Sequence, residues 1–207
     1  MVQYTVPKYT ISMSYHIYTT DGIILKRTGF GEANILLHVL TEELGLVIAS
    51  ARSARLAVSK LRPALQEYAH VSVSVIHGKS GWKVTNVAGK SNFFFDLQGS
   101  SLQKVLARIV SVLLQMIPGE SPHPEIFETV CSGFEFLKTI SETDISSFEI
   151  LMVLRILYEL GYVARNPAVE PFIQNSTIWH SSVLQNTSME KKRLVEIINK
   201  ALKESQL

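Results

Sequence analysis

Residues 51–66 read "ARSARLAVSKLRPALQ", with Arg52, Arg55, Lys60 and Arg62 and no acid among them. Cations set among small residues and leucines suit a surface that holds phosphates, where each contact releases a condensed counterion. They also suit a solvated loop, and charge placement alone leaves the two open. Lys26 and Arg27 end an earlier strand-like run, and Lys79, Trp82 and Lys83 flank a later hairpin. If one groove gathers these residues, the cations track phosphates and Trp82 stacks a base. The plainer role for Trp82 is core or hairpin packing.

No other constellation supports chemistry. The histidines, at 16, 38, 70, 77, 123 and 180, show no metal-ligand spacing with one another, with cysteine or with an acid. His38 reads as a satisfied polar residue on a strand face. Gly29-x-Gly31 lacks the third glycine of a dinucleotide fingerprint, and no Gly-Lys-Ser/Thr follows it, so it reads as a hairpin turn. Glu42-Glu43 stands beside a turn glycine and reads as solvated. Cys131 is the one cysteine, which excludes an internal disulfide and a cysteine zinc cluster. Its setting, "IFETVCSGFEFL", predicts a packed thiol. The expectation is a protein with no catalytic residue, no metal and no cofactor.

Two different periodicities must position the basic residues. In the first half, "TDGIILKRT", "ANILLHVLT", "GLVIASARS", "YAHVSVSVIHG" and "GWKVTNVAG" are strand-like runs, clearest where Val71, Val73 and Val75 alternate with Ser72 and Ser74. Turn signals fall at 29–32, 42–45 and 78–81, and the longer third connection holds the basic stretch. Pro63 forbids a central strand there. Five short strands with a long third connection predict an OB-fold barrel over residues 15–92. In the second half, the period becomes helical. Helices are expected at 102–117, capped by Ser100 or Ser101, at 125–140, at 146–160 after a Ser146-x-x-Glu149 capping box, and from a second box, Thr187-x-x-Glu190, to about residue 204. Residues 162–186 carry no clear period. The fold class is therefore α+β: an N-terminal extension at 1–14, with Met13 as an alternative start, a five-stranded barrel at 15–92, and an all-helical domain at 93–207.

Charge divides along the same line. The chain of 207 residues has a net charge of +2, with +5 on residues 1–92 and −3 on residues 93–207. Apolar residues make up 46% of it, which excludes disorder throughout. No apolar run is long enough to span a bilayer, and residues 1–18 lack a basic start and an apolar h-region. A cytoplasmic protein with no membrane contact is expected.

The run from Thr20 to Val75 resembles the N-terminal domain of RecO, the bacterial recombination mediator. The matching motifs are Leu25-Lys26-Arg27, Gly31-Glu32, Thr41 to Gly45, Ala51-Arg52-Ser53-Ala54-Arg55, and Ser59-Lys60-Leu61-Arg62-Pro63-Ala64-Leu65-Gln66. In the helical half, "SSFEILMVLRILYELGYVARN" is similar to that family's Phe-Glu to Leu-Gly-Tyr helix end. The resemblance implies binding and annealing of single-stranded DNA, binding of double-stranded DNA, and action in recombinational repair with RecR. It also implies engagement of the C-terminal tail of single-strand binding protein, assistance to RecA loading, and association with the nucleoid. Within its motifs, Lys26, Arg27, Arg52, Arg55, Lys60 and Arg62 are the expected phosphate contacts; Lys79, Trp82 and Lys83 join them by their place beside the last hairpin, and Arg108, Arg155 and Arg165 are the expected anchors for the acidic tail.

Two departures stand out. Many family members carry a four-cysteine zinc module after the Gly-Tyr segment, and this chain has no cysteine there, so a zinc-less variant is expected. Ser53 stands where the family motif has glycine, and it is strained if that position needs a positive φ. Two other classes remain: an interaction scaffold whose barrel has lost DNA binding, and an enzyme acting on nucleotides, against which the lack of an acid/base or metal cluster argues.

Overall fold

A computed structural model describes residues 16–54 and 61–205. Arg55 and Lys60 lie outside the described residues, as does the extension at 1–14. The first half contains β1 (Ile17–Phe30), β2 (Asn34–Thr41), β3 (Gly45–Ala51), β4 (Ala69–Gly78) and β5 (Gly81–Asn92). They close into a barrel in the order β1-β2-β3-β5-β4. Neighbours are antiparallel except β3 and β5, which pair in parallel through Ala49 with Trp82 and Ser50 with Lys83.

Alternation fills the barrel. Ile35, Leu37 and Val39 of β2, Val47, Ala49 and Ala51 of β3, and Val71, Val73 and Val75 of β4 face inward and are buried. The outward residues of β1, β2 and β3 do not form the expected wet face along their whole length. Ile23, Leu25, Leu40 and Leu46 are also buried, in a separate core shared with the helices. Burial of this order, at about 25 cal/mol per Å² of apolar surface, joins the halves.

The helical half comprises α1 (Phe93–Asp96), α2 (Ser100–Met116), α3 (Pro124–Leu137), α4 (Ile145–Glu159), α5 (Glu170–Ile173), α6 (Ser181–Met189) and α7 (Lys191–Glu204), with one 3-10 turn before α4. Every residue from Ile150 to Leu157 in α4 is buried. α2, α3, α5, α6 and α7 pack around it, as expected for a helix apolar on all sides.

Three expectations at helix ends need correction. Glycine at position 99 is the cap of α2, and neither Ser100 nor Ser101 serves. The Ser146 box does not form: its hydroxyl accepts from Lys191 Nζ, and Glu149 holds Arg108. Thr187 lies inside α6 and donates to the Val183 carbonyl, so the terminal helical stretch is two helices meeting at Glu190. In each box the side chain has a partner elsewhere, and short-range spacing does not show such partners.

The barrel meets the α2–α3 connection at a contact that only glycine permits. Gly45 has φ +75, and a Cβ there would lie 2.2 Å from the Ser121 carbonyl oxygen. Next to it, the Leu46 N–H donates to the Gly119 carbonyl at 2.9 Å. Gly45→Ala should therefore destabilise the protein by about 2–4 kcal/mol, from backbone strain and a backbone clash together. Urea denaturation checks this, and a change below about 0.5 kcal/mol, the usual range of a surface substitution, would refute the close approach.

Candidate nucleic-acid interface

The pairing register orders the outer face of β1, β2 and β3 into rows. Ile23, Leu40 and Leu46 form a row covered by the helices. The next row is Lys26, His38 and Ile48, and beyond it lie Thr28, Leu36 and Ser50, with Lys83 paired to Ser50. A β-bulge between Ile24 and Lys26 brings Lys26 opposite His38. The open end of this face is a groove of about 290 Å³ lined by Phe30, Leu36, Ile48, Arg52, Trp82 and Lys83, among others. It runs from the β1–β2 turn to the β4–β5 turn.

The groove combines apolar surface with cations. Phe30 is 58% exposed and Ile48 is 46% exposed, unusual for large apolar side chains on a barrel wall. Arg52 is exposed at the rim, and neither Arg52 nor Lys83 makes an ion pair among the described residues. Lys79 is exposed on the β4–β5 turn beside Ser80, which lines the groove. Burial, and next the neighbouring Lys26 charge, hold the His38 pKa below its ordinary value. The face therefore stays cationic through Lys and Arg, not through His38, at neutral pH.

Trp82 sits mostly inside. It is 9% exposed, packs edge-on to Tyr18 and His77, and belongs to the barrel core. It contributes a wall of the groove and not an open stacking platform, which corrects the stacking role. Its buried Nε1 has no hydrogen-bond partner among the described residues. The apolar part of the surface comes instead from Phe30, Leu36 and Ile48, which sequence reasoning missed. One signal was available: Ile48 sits in the unbroken apolar run Leu46-Val47-Ile48-Ala49, in which strict alternation puts Leu46 and Ile48 outside.

Ser53 closes the rim next to Arg52. Its φ is +53, so the position does require the left-handed region, and its N–H donates to Asn34 Oδ1 at 3.0 Å. Arg27 is not in the groove. It lines a different pocket with Gln66, Glu67, Phe94 and Phe95, and its backbone N–H donates to Glu67 Oε1 at 2.9 Å. Arg62 is exposed on the connection between β3 and β4, where its carbonyl accepts from Gln66 Nε2. Among the described candidates, Arg52, Trp82 and Lys83 thus share one groove. Lys26 and Lys79 border it, and Arg27 and Arg62 stand apart.

The helical arginines differ sharply from one another. Arg155 was expected to anchor a partner, but it is 1% exposed and cannot. Its Nε donates to the Phe172 carbonyl, and its Nη1 donates to the Ser176 and Ile178 carbonyls at 2.8 and 3.0 Å. Its guanidinium lies 4.3 Å from the Trp179 ring centre. Burial brings its pKa down to about 10, opposed by Glu159, so it remains charged at neutral pH. Arg155 thereby organises Phe172 to Ile178 within residues 162–186, the stretch read without period, whose end the structure shows as the start of α6. Arg108 is exposed and forked onto Glu149, and Arg165 is exposed and forked onto Glu170. Among the described residues, no group of His, Cys, Asp or Glu is placed to hold a metal ion, and no helix is long and apolar enough to cross a membrane.

Comparison with known proteins agrees with this architecture. Residues 13–89 match the family model described as recombination protein O, N terminal. The DNA repair protein RecO of Dehalococcoides mccartyi is 30% identical over 84% of this chain and 65% of its own length. That of Desulfitobacterium hafniense is 26% identical over 72% of this chain and 54% of its own length. That of Thermodesulfovibrio yellowstonii is 24% identical over 70% and 58% respectively. The barrel is thus a RecO N-terminal domain with helices after it. Over the chain as a whole the likeness is to RecO proteins, of which it spans between about half and two thirds of the length.

Two outcomes test the structural assignments. Arg155→Met should cost about 2–4 kcal/mol, because it leaves three buried carbonyls without their donor. A melt unchanged from the parent would contradict the burial of the guanidinium. Burial, followed by the carboxylates of Asp21, Glu42 and Glu135 and opposed by Lys90, pushes the Cys131 thiol up to about 12. The thiolate is the reactive form, so folded protein at pH 8 should resist a thiol-disulfide reagent until denaturant is added. Stoichiometric reaction before unfolding would refute the packed environment.

Proposed function

We propose that this chain is a DNA-binding mediator of recombinational repair, and that its barrel is an OB-fold whose groove takes single-stranded DNA. The observation that carries the reading is the groove itself, where Arg52 and Lys83 flank exposed Phe30 and Ile48. Its place also supports the reading. OB-folds bind oligonucleotides over their second and third strands, between the β1–β2 and β4–β5 loops. The observed strand order and the position of the groove match that arrangement.

Cations neutralise phosphates, and exposed apolar side chains give unpaired bases a dry contact without sequence readout. Both features suit annealing, which requires loose and sequence-tolerant binding. Lys26, Lys79 and Arg62 extend the cationic field around the groove. Arg55 and Lys60 belong to the same reading through the family motif. By family resemblance, the chain acts with RecR, engages the acidic tail of single-strand binding protein, and supports RecA loading. Arg108 in α2 is an accessible anchor for such a tail, where the incoming carboxylate would replace Glu149, and Arg165 is another, in place of Glu170.

The test is a binding titration against salt. A combined Arg52→Ala, Lys83→Ala and Lys26→Ala variant should fold normally and bind single-stranded DNA more weakly. Its log affinity against log salt should flatten by about 0.7 for each lost phosphate contact. Unchanged affinity and slope at low salt would overturn the groove as the DNA site.

A further inference from the structure

A second pocket lies beside the joint of the two halves, away from the groove residues. Arg27, Gln66, Glu67, Phe94 and Phe95 line it, enclosing about 300 Å³. Three features set it apart from ordinary packing. Phe95 is 73% exposed, while its neighbour Phe93 is buried in the helical core. Phe94 is half-buried and stacked on Tyr68, with ring centres 5.4 Å apart and planes within 18°. The Arg27 Nε is buried and has no hydrogen-bond partner among the described residues.

The charges in the pocket say what would fill it. Arg27 and Glu67 share it, yet among the described residues neither side chain forms an ion pair. Glu67 is fixed by the Arg27 backbone N–H, which occupies one carboxylate oxygen. A bare phosphate would meet the Glu67 charge and is a poor occupant. A nucleobase is a good one: its edge offers acceptors for the Arg27 guanidinium that lines the pocket and an amino or imino donor for the second Glu67 oxygen. Its ring face offers stacking to Phe95.

We propose that the Arg27–Glu67–Phe95 pocket holds one unpaired nucleobase of a bound single strand, as a contact separate from the barrel groove. The inference rests on the DNA-binding reading. It deepens that reading by adding a second contact, where the connection before β4 ends at Gln66 and Glu67. Because a paired base buries its edge in the duplex, the pocket discriminates single from double strands, whereas the cations do not.

The experiment is fluorescence anisotropy with the full chain, using a labelled twenty-nucleotide single strand of mixed sequence and the matching duplex. Phe95→Ala should weaken single-strand binding about five- to a hundredfold, the range of one lost stacking contact. The salt slope and duplex affinity should stay unchanged, and Phe95→Trp should restore binding. Since Phe95 is exposed, the melting temperature should not move. If the parent binds both DNAs and Phe95→Ala binds the single strand equally well, the pocket is not a base site, although the groove reading stands. If Phe95→Ala instead leaves DNA binding intact and abolishes binding of a short acidic peptide ending in phenylalanine, the pocket serves a protein partner and the proposal is overturned. If the parent binds no single strand at low salt, both readings fail together.

Discussion

The outer face of β1, β2 and β3 carries apolar rows at one end that water cannot be allowed to reach. Ile23, Leu25, Leu40 and Leu46 stand on the outside of a barrel whose inside is already filled. A helical half that covers them is therefore a condition of the fold. That covering fixes where the helices sit, and Gly45 sets how closely their connection approaches. It also determines what stays open. The same strands that carry the covered row continue into Leu36, Ile48 and Ser50, so the groove is the uncovered remainder of one continuous surface.

Within the helical half, a single buried cation has a comparable role. Arg155 could not be buried without its donors satisfied, since an unpaired guanidinium in a core is severely unfavourable. Three carbonyls from Phe172, Ser176 and Ile178 meet that demand, and Trp179 covers the guanidinium face. A neighbouring chain of hydrogen bonds, from Thr129 through Ser176 to Glu159, ties the same segment to α3 and α4. The segment is held by polar bonds around one residue and by buried Val163, Val169, Phe172 and Ile173.

These two arrangements explain what was legible in the sequence. Alternation such as Val71, Ser72, Val73 gave the strands, because inside and outside differ at every step there. The helices were legible where one face is apolar. Phe172 to Ile178, within residues 162–186, were not, because Arg155 organises them through backbone carbonyls, which leave no mark on residue type. Helix ends misled for a related reason: Ser146, Glu149 and Thr187 fit local caps in sequence but take other partners in the fold. For the site, the cations were legible by charge, and Ser53 by the motif it departs from. The apolar lining was hidden, since Phe30 and Ile48 look like core residues until the barrel's pleat assigns them a side. Arg27 and Lys26 looked equivalent as neighbours, although adjacent strand residues face opposite ways.

The β-bulge in β1 carries that last point further. One extra residue between Ile24 and Lys26 resets the phase of the strand for everything after it. Just before it, the outward Ile23 belongs to the joint, beyond Asp21, which pairs with Lys90, and exposed Thr19. After it, Lys26 and Thr28 take the outer face and Arg27 turns to the second pocket. A strand of 14 residues thus serves two surfaces with different chemistry, and a single step in its count marks the border. An insertion or deletion of one residue in β1 would exchange the audiences of the side chains beyond it without altering one of them.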